Sequence, residues 1–320
     1  NPAITQTDSL QSEELPASTD APKKNIDLNL YSLNLFYREN EPPAAFVSLS
    51  QLFDFNKNND SLEIPYEYIK NQKNYSFKTL ENINLDDVYR SRVLRKTKIR
   101  EQDTLYCYNY GKDKMLSVPV SKLQLAAQLS PYTSEGEEIS AYDYMIGFKI
   151  DSVSLGSNPE EWYDAFVTIG NKNHFLPNSV KLLKWSAITE EQFFAHQCLN
   201  KEILPKNIDA SRTKVYEAVT DEHHYYLKDI GDSEGSNYRH LVVLSKDKKE
   251  FILDHIYTES DGISFTPVND KENQYQWAGK LLADQPPVTF GYLVVSFGCP
   301  VITPVSKTIG SIEILCDNRH

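Results

Sequence analysis

Alternation of apolar and polar side chains with a period of two is the feature that most restricts the fold of this chain. In residues 104–110, Leu105 and Cys107 share one face of an extended strand. The opposite face carries three tyrosines at alternate positions, Tyr106, Tyr108 and Tyr110. Because successive side chains of a strand point to opposite sides of a sheet, this pattern predicts a β-strand with an aromatic face.

Short polar turns connect several such runs and predict antiparallel hairpins. The predicted hairpins pair residues 104–110 with 115–120, 165–169 with 174–176, and 240–245 with 250–257. The last strand is expected at 311–316, at the end of an antiparallel meander. The fold class expected is therefore mainly β with minor α (α+β), built from antiparallel sheets and hairpin meanders in a sandwich-like or barrel-like arrangement.

One or two short helices complete this expectation. The residues Thr189 to Gln192 form a capping box, which predicts a helix over residues 190–201. Asn158 followed by Pro159 is a second helix-start signal and predicts a short helix that continues through Tyr163.

Composition along the chain suggests three parts. Residues 1–24 are rich in Ser, Thr, Asp, Glu and Pro, so we expect a disordered tail or tether. A polar segment interrupted by proline at 204–211 is the best boundary within the remainder. The expected organisation is an N-terminal β-rich domain with short helices over 25–205 and a C-terminal antiparallel β domain over 206–320.

Charge and hydropathy exclude two classes of partner. A net charge of −12 repels phosphate backbones, so we expect no nucleic-acid partner. The densest basic stretch, residues 90–100, lies between acidic residues and is expected to be solvated or internally paired, with an anion or partner patch as the alternative. No apolar run approaches the roughly 20 residues of a membrane-spanning helix.

Several features favour a location outside the cytoplasm. The chain starts at Asn1 without an initiator Met, as a processed protein or a trimmed one would. A polar tail before a folded body is typical of secreted and lipid-anchored proteins. We therefore expect an extracytoplasmic protein, either periplasmic, outer-membrane-anchored or secreted, with a possible lipid anchor upstream of residue 1.

The cysteines add to the argument about location. Cys299 and Cys316 flank an expected strand pair, so a disulfide between them is plausible and would leave Cys107 and Cys198 as a second pair. Free buried thiols are the alternative. No C-x-x-C spacing is present, so neither a structural metal site nor a thioredoxin-like motif is supported.

Signals for catalysis are sparse. His223 and His224 are adjacent, and neighbouring side chains on a strand point to opposite faces, so they cannot share one metal ion without a local turn. We expect no metal and no cofactor. His196 and Cys198 lie two residues apart on an expected helix, where side chains do not face each other. These observations favour a non-catalytic role, while the catalytic residues of any enzyme activity stay unknown.

Aromatic residues are the compositional excess, with 20 Tyr, 14 Phe and 3 Trp. Tyr and Trp combine a broad apolar face with a polar edge, which suits contact with sugars or peptides. The ligand-binding candidates are Trp162, Tyr163, Trp185, Tyr275 and Trp277. The function expected is a non-catalytic envelope or secreted binding protein for a glycan, a peptide or another envelope protein. The alternatives are an extracytoplasmic hydrolase of glycans or peptides and a structural component of an envelope complex.

Overall fold

Strands predominate in the computed structural model, which confirms the expected β-rich α+β class. The structure describes residues 23–37, 42–53, 64, 66–193, 208–232, 235 and 237–318. Most of the tail expected over 1–24 lies outside these residues. Its last residue, Lys24, forms an isolated parallel bridge with Ile309.

The strands are β1 Leu30–Ser32, β2 Asn34–Phe36, β3 Ala44–Ser48, β4 Asn82–Asn84, β5 Thr104–Asn109, β6 Lys114–Pro119, β7 Gln124–Leu129, β8 Tyr144–Ile150, β9 Ala165–Gly170, β10 Val180–Leu182, β11 Ser186–Ala187, β12 Ile208–Val219, β13 His223–Asp232, β14 Asn237–Ser245, β15 Phe251–Thr258, β16 Ile263–Phe265, β17 Trp277–Gly279, β18 Val288–Phe290, β19 Leu293–Val295, β20 Val301–Pro304 and β21 Ile312–Leu315. The α-helices are α1 Tyr66–Lys70, α2 Phe77–Glu81, α3 Asp87–Thr97 and α4 Ser152–Leu155. Single 3-10 turns cover Gln72–Asn74, Val120–Lys122, Ala141–Asp143, Pro159–Trp162 and Glu190–Gln192.

The largest sheet has nine strands in the order β10-β17-β18-β20-β21-β1-β9-β5-β6. Its neighbours are antiparallel except for β1 and β21, which run parallel with Leu30 opposite Ile314. The final strand exists as expected and ends the antiparallel run β17-β18-β20-β21, but its other side pairs in parallel with the first strand, so it lies in the interior of the sheet. Strands from both sides of the boundary expected at 205/206 belong to this sheet, so that boundary does not divide it.

A five-stranded sheet, in the order β2-β3-β8-β7-β4, packs against one face of the large sheet. Between the two lies the largest apolar core, to which β5 contributes Leu105 and Cys107. Tyr108 belongs instead to the core on the opposite face of the large sheet, packed with Tyr106 and Tyr110. The two faces predicted for this strand are thus confirmed, and its apolar side is the one that faces this five-stranded sheet.

A second five-stranded sheet is a meander in the order β11-β12-β13-β14-β15. It contains the hairpin predicted at 240–257, with β14 and β15 antiparallel from Tyr238 opposite Thr258 onward. The hairpin predicted at 104–120 is also confirmed, with Thr104 of β5 opposite Pro119 of β6. Both turns are short and polar, which is why the local sequence was sufficient to predict the pairing.

The third predicted hairpin, 165–169 with 174–176, is wrong. Its first strand is present as β9, but β9 lies between β1 and β5 in the large sheet. Phe175 forms only an isolated bridge, with Leu282. The apolar residues of β9 are better buried between two distant strands than in a local pair, so tertiary packing overrides the turn signal.

The helical part of the described chain is larger than the one or two short helices expected. The longest helix, α3, coincides with the basic stretch and begins at the cap residue Asp86, whose carboxylate accepts the backbone N–H of Tyr89 at 2.8 Å. Arg90 forms a two-pronged ion pair with Glu101, at 2.7 and 2.8 Å. The basic stretch is thus at least partly paired internally. No helix in the described ranges is long and apolar enough to cross a bilayer.

Both helix-start signals correspond to a single turn of 3-10 helix. In the capping box, the backbone N–H of Thr189 donates to Oε1 of Gln192 at 2.9 Å. The turn ends at Gln192, and residues 194–201 of the predicted helix lie outside the described residues. Pro159 occupies the first turn of the other segment, which ends at Trp162.

A buried ion pair connects the meander sheet to the two-stranded sheet of β16 and β19. Arg239 on β14, with its side chain 2% exposed, contacts Asp229 on β13 at 2.7 and 2.8 Å. The same guanidinium donates to the carbonyl oxygens of Thr266 at 2.9 Å and Tyr292 at 3.0 Å. It also lies 4.6 Å from the ring centre of Phe265. These contacts satisfy a charged group that is otherwise costly to bury.

The C-terminal segment is attached to the N-terminal half by side-chain contacts. The hydroxyl of Ser48 donates to the Asp317 carboxylate, and the backbone N–H of Asp317 donates to Oε1 of Gln51 at 2.7 Å. Next to this contact, Cys299 and Cys316 have the geometry of a disulfide, with Cα atoms 5.5 Å apart. Cys107 is fully buried, and Cys198, its expected partner, lies outside the described residues.

We expect Arg239→Met to lower the free energy of unfolding by about 3 kcal/mol, because it leaves the Asp229 carboxylate and the Thr266 carbonyl without their partner. Chemical denaturation followed by circular dichroism would measure the change. Arg100→Met is a suitable control, since Arg100 pairs with Asp103 at 3.0 Å but is largely exposed. Equal losses in the two variants would contradict the structural role of Arg239.

We expect a non-reducing digest of protein purified from an oxidising compartment to contain a peptide pair linked through Cys299 and Cys316. The bond closes a sequence separation of 17 residues and is worth about 3 kcal/mol in the chain-entropy model. Mass spectrometry identifies the linked pair, and thermal melting of a Cys299→Ser/Cys316→Ser double variant measures its contribution. Full alkylation of both thiols without reductant would contradict the assignment.

Candidate functional site

Two adjoining cavities open where the large sheet meets the β16–β19 pair. Their volumes are about 660 Å³ and about 390 Å³. Both are lined by Tyr110, Gly291, Leu293, Val295 and Pro300. We refer to the two cavities together, with these shared residues at their junction, as the aromatic cleft.

The wall of the aromatic cleft is a cluster of rings centred on Tyr110. The Tyr110 ring stacks on Phe166, with 5.0 Å between the ring centroids. It makes T-shaped contacts with Trp277 and Phe290, at centroid distances of 5.3 and 4.9 Å. Tyr110 follows β5 directly and continues its aromatic face, whereas Trp277 and Phe290 are opposite each other on β17 and β18. Offset and edge-on contacts of this kind stabilise the rings in fixed orientations.

Charged groups line the larger cavity. Lys112, Asp164 and Glu272 are among its residues. Partial burial raises the pKa of Asp164, an effect that Lys112 opposes. The backbone carbonyl of Asp164 accepts the N–H of Tyr110 at 3.1 Å, so the acidic residue and the central ring are held together.

The smaller cavity has a second aromatic group contributed by the meander sheet. His255 and Tyr257 both come from β15, and their rings are 4.4 Å apart. Tyr257 stacks on Tyr292 at 5.5 Å. Burial raises the pKa of Tyr257 to about 12 and lowers the pKa of His255, with the charge of Lys23 lowering the latter further and Asp254 opposing the change. Both groups are therefore uncharged at neutral pH.

Gly291 permits the close approach of two chain segments at the centre of the cleft. Its φ is +85°, and a Cβ atom there would lie 1.8 Å from the carbonyl oxygen of Tyr275. Only glycine combines this conformation with that contact. The segment before β17 is consequently held against the turn between β18 and β19, and Tyr275 joins the wall of the larger cavity.

The connection from β19 to β20 forms another side of the cleft and is held at several points. Phe297 lies against Gly262, where an added Cβ would approach its ring to 2.1 Å. The side-chain amide of Asn318 donates to the carbonyl oxygens of Ser296 at 3.0 Å and Gly298 at 3.3 Å. Cys299, at disulfide distance from Cys316, immediately precedes the cleft residue Pro300. The cleft wall is therefore largely preformed.

The five ligand candidates from the sequence do not form one site. Tyr275 and Trp277 both line the larger cavity. Trp162 and Trp185 are buried in two other cores and offer no surface for a ligand. Tyr163 is 64% exposed but is not part of the aromatic cleft. Large aromatic side chains in β proteins often fill cores, which accounts for the burial of Trp162 and Trp185, and ligand binding by the five candidates stays a prediction.

The adjacent histidines of β13 are separated as strand geometry requires. His224 contacts Glu217 at 3.1 Å, and its ring lies near that of Tyr226, whereas His223 lies near Tyr225. Burial lowers the pKa of His223. Within the described residues, no three or more His, Cys, Asp or Glu side chains are arranged to hold a metal ion.

Comparison with known proteins adds no relative: no protein-family model, no curated protein and no solved structure matches this chain. The geometry of the aromatic cleft is therefore the basis for any functional statement. Its rings, apolar side chains and few charged groups are suited to holding a ligand by contact.

Sequence reasoning identified part of this site. Tyr110 belongs to the alternating tyrosines, and Tyr275 and Trp277 were among the candidates. The candidates did not include His255, Tyr257, Phe290 or Tyr292. The sequence does show ring-bearing side chains at the alternate positions 255 and 257. Their role depends on the approach of β15 to β18 and β19, which no local pattern encodes.

We expect folding stability to decrease as the pH falls from about 6.5, the ordinary pKa of histidine, towards 5.5. His255 has a lowered pKa in the folded state, so the unfolded chain binds the proton more readily in this range. His255→Gln should therefore flatten the pH dependence of the melting temperature. His174 and His223, whose pKa values are also lowered, should leave a residual slope. An unchanged slope in His255→Gln would contradict the assignment.

Proposed function

We propose that this chain is a non-catalytic binding protein that works outside the cytoplasm and holds a peptide or glycan in the aromatic cleft. The observation that carries the proposal is the junction of two cavities, about 660 and 390 Å³, around the Tyr110 ring cluster. Ligand pockets in proteins commonly measure about 300–1,000 Å³ and combine apolar walls with a few polar groups.

The cleft supplies two kinds of contact that such ligands need. Rings held edge-on and face-on offer flat apolar surfaces for a sugar face or an apolar side chain. Lys112, Asp164 and Glu272 supply charged groups around the larger cavity. Because the rings pack against one another and Gly291 fixes the crossing chain segments, little ordering of the wall is needed when a ligand binds.

The location outside the cytoplasm is supported by the cysteine pair beside the cleft. Cys299 and Cys316 are placed to form a disulfide, a bond that persists in oxidising compartments. The disulfide would hold the connection that carries Pro300. An oxidising compartment would therefore also stabilise this side of the cleft. The proposal thereby links the compartment to the binding site.

A glycan array and a peptide array, each tested with the purified protein and its variants, would test this function. We expect Tyr275→Ala to weaken the binding of positive ligands at least about tenfold, which corresponds to the loss of one aromatic contact of about 1.4 kcal/mol. Tyr163→Ala, which removes an exposed tyrosine outside the cleft, is the matched control and should bind as the unaltered protein does.

The variant Tyr110→Ala should weaken binding further, because it removes the ring shared by both cavities. Circular dichroism and thermal melting should accompany it, since Tyr110 also packs in the core. Ligands whose affinity is unchanged in both Tyr275→Ala and Tyr110→Ala would show that the cleft is not the binding site. Absence of binding on both arrays would contradict the proposed function.

A further inference from the structure

Strand β19 is paired on one side only. It is antiparallel to β16, with Ile263 opposite Val295 and Phe265 opposite Leu293, and these two strands make up a separate sheet. No described strand pairs with the opposite side of β19. This side of β19 is therefore a free sheet edge.

The hydrogen bonds around the pair show which backbone groups point to that edge. The N–H of Ser296 donates to the carbonyl of Gly262 at 2.8 Å, and the N–H of Thr266 donates to the carbonyl of Tyr292 at 3.1 Å. Backbone groups alternate in direction along an antiparallel strand. Since residues 292 and 296 face β16, the N–H and C=O groups of Leu293 and Val295 face the free edge, where no described residue hydrogen-bonds to them.

The outer edge of the partner strand β16 is different. The N–H of Phe265 donates to the Glu259 carboxylate at 2.8 Å. Ile263 exchanges backbone hydrogen bonds with Ser260, at 3.0 and 3.1 Å. The chain thus satisfies one edge of this small sheet with its own groups and leaves the other open, although open edges usually promote unwanted association.

The open edge leads into the aromatic cleft. Leu293 and Val295 line both cavities, and Val294, whose side chain points to the other face of the strand, lines the larger one. Cavity walls therefore surround the free edge of β19. Val294 is 46% exposed and Phe297 is 65% exposed, so apolar surface continues beyond the cleft.

We infer that the ligand is an extended peptide that adds to β19 as a further strand, an inference that rests on the proposed function of the cleft. Its main chain would exchange hydrogen bonds with Leu293 and Val295, and its alternate side chains would contact the rings of the cleft. A row of N–H and C=O groups is matched by another strand in a way that a glycan cannot reproduce.

The charges in the larger cavity indicate one side chain of the peptide. Asp164 and Glu272 form no salt bridge to a described residue, and Lys112 is the only basic residue among those that line this cavity within the described ranges. The raised pKa of Asp164 reflects a carboxyl group with little compensation. A peptide with apolar residues at alternate positions and one Lys or Arg complements this arrangement.

A random heptapeptide phage library panned against the whole protein would supply the probe. The selected peptide would be synthesised unmodified and in two N-methylated forms, one for each set of alternate amides. N-methylation removes a strand donor without changing the side chains. We expect one form to bind at least about 30-fold more weakly than the unmodified peptide, because it loses hydrogen bonds of about 1 kcal/mol each, and the other to bind nearly as well.

The matching protein variants are Val295→Pro and Val295→Ala. Proline removes the N–H that faces the free edge and is tolerated at such edge positions, whereas alanine keeps the N–H and removes only two methyl groups. We expect Val295→Pro to weaken peptide binding at least about tenfold, Val295→Ala to have a clearly smaller effect, and the melting temperatures of the two variants to be similar. If Val295→Pro does not fold, the N-methylated peptides decide alone.

Three outcomes would overturn the inference, and they are distinguishable. Two N-methylated forms of equal affinity would exclude strand addition but leave a peptide-binding cleft. A glycan whose binding is weakened in Tyr275→Ala, together with no selected peptide, would exclude a peptide ligand and keep the proposed function. No ligand of either class in the cleft would remove both the proposed function and the inference.

Discussion

The ion pair between Arg239 and Asp229 is the interaction on which the arrangement of the cleft depends. Its guanidinium reaches from the meander sheet to the carbonyl groups of Thr266 and Tyr292, which directly follow β16 and directly precede β19. One buried cation therefore fixes both strands of the small sheet relative to the meander. Without it, the small sheet would lose its main polar attachment to the meander sheet.

The second constraint acts at the other end of β19. The connection to β20 is held by the contact of Phe297 with Gly262, by the Asn318 amide and by the Cys299–Cys316 pair. The C-terminal segment that carries Cys316 is itself attached to Ser48 and Gln51 of the N-terminal half. Consequently, both ends of the strand are anchored to parts of the chain that are distant in sequence, which suits a strand held in place to accept a partner.

The electrostatics of the cleft follow from burial. The pKa values of Tyr110, Tyr257 and Tyr292 are raised and that of His255 is lowered, in each case mainly by desolvation. These groups are therefore neutral near pH 7 and act as apolar surfaces with a polar edge. Among the described residues that line the cleft, charge is confined to Lys112, Asp164 and Glu272, so the proposed selectivity for a charged side chain would depend on the larger cavity.

What the sequence determined by itself is local. Period-two alternation assigned the two faces of β5, and polar turns predicted the hairpins that join β5 to β6 and β14 to β15, because these pairings close over a few residues. The proximity of Cys299 and Cys316 was predicted, but the strand pair on which that prediction rested does not form: β19 pairs with β16, whereas β21 pairs with β20 and β1. Helix α3 was missed, since its charged residues obscure the apolar stripe of Tyr89 and Val93.

Only the tertiary structure decided which strands became neighbours. The insertion of β9 between β1 and β5, and the parallel pairing of β1 with β21, depend on burying two faces of one large sheet under different partners. The same packing took Trp162 and Trp185 into cores and brought Tyr110 to Trp277 and Phe290. Side-chain types and periodicity specify which face of a strand is apolar, but the match of whole surfaces decides what covers that face.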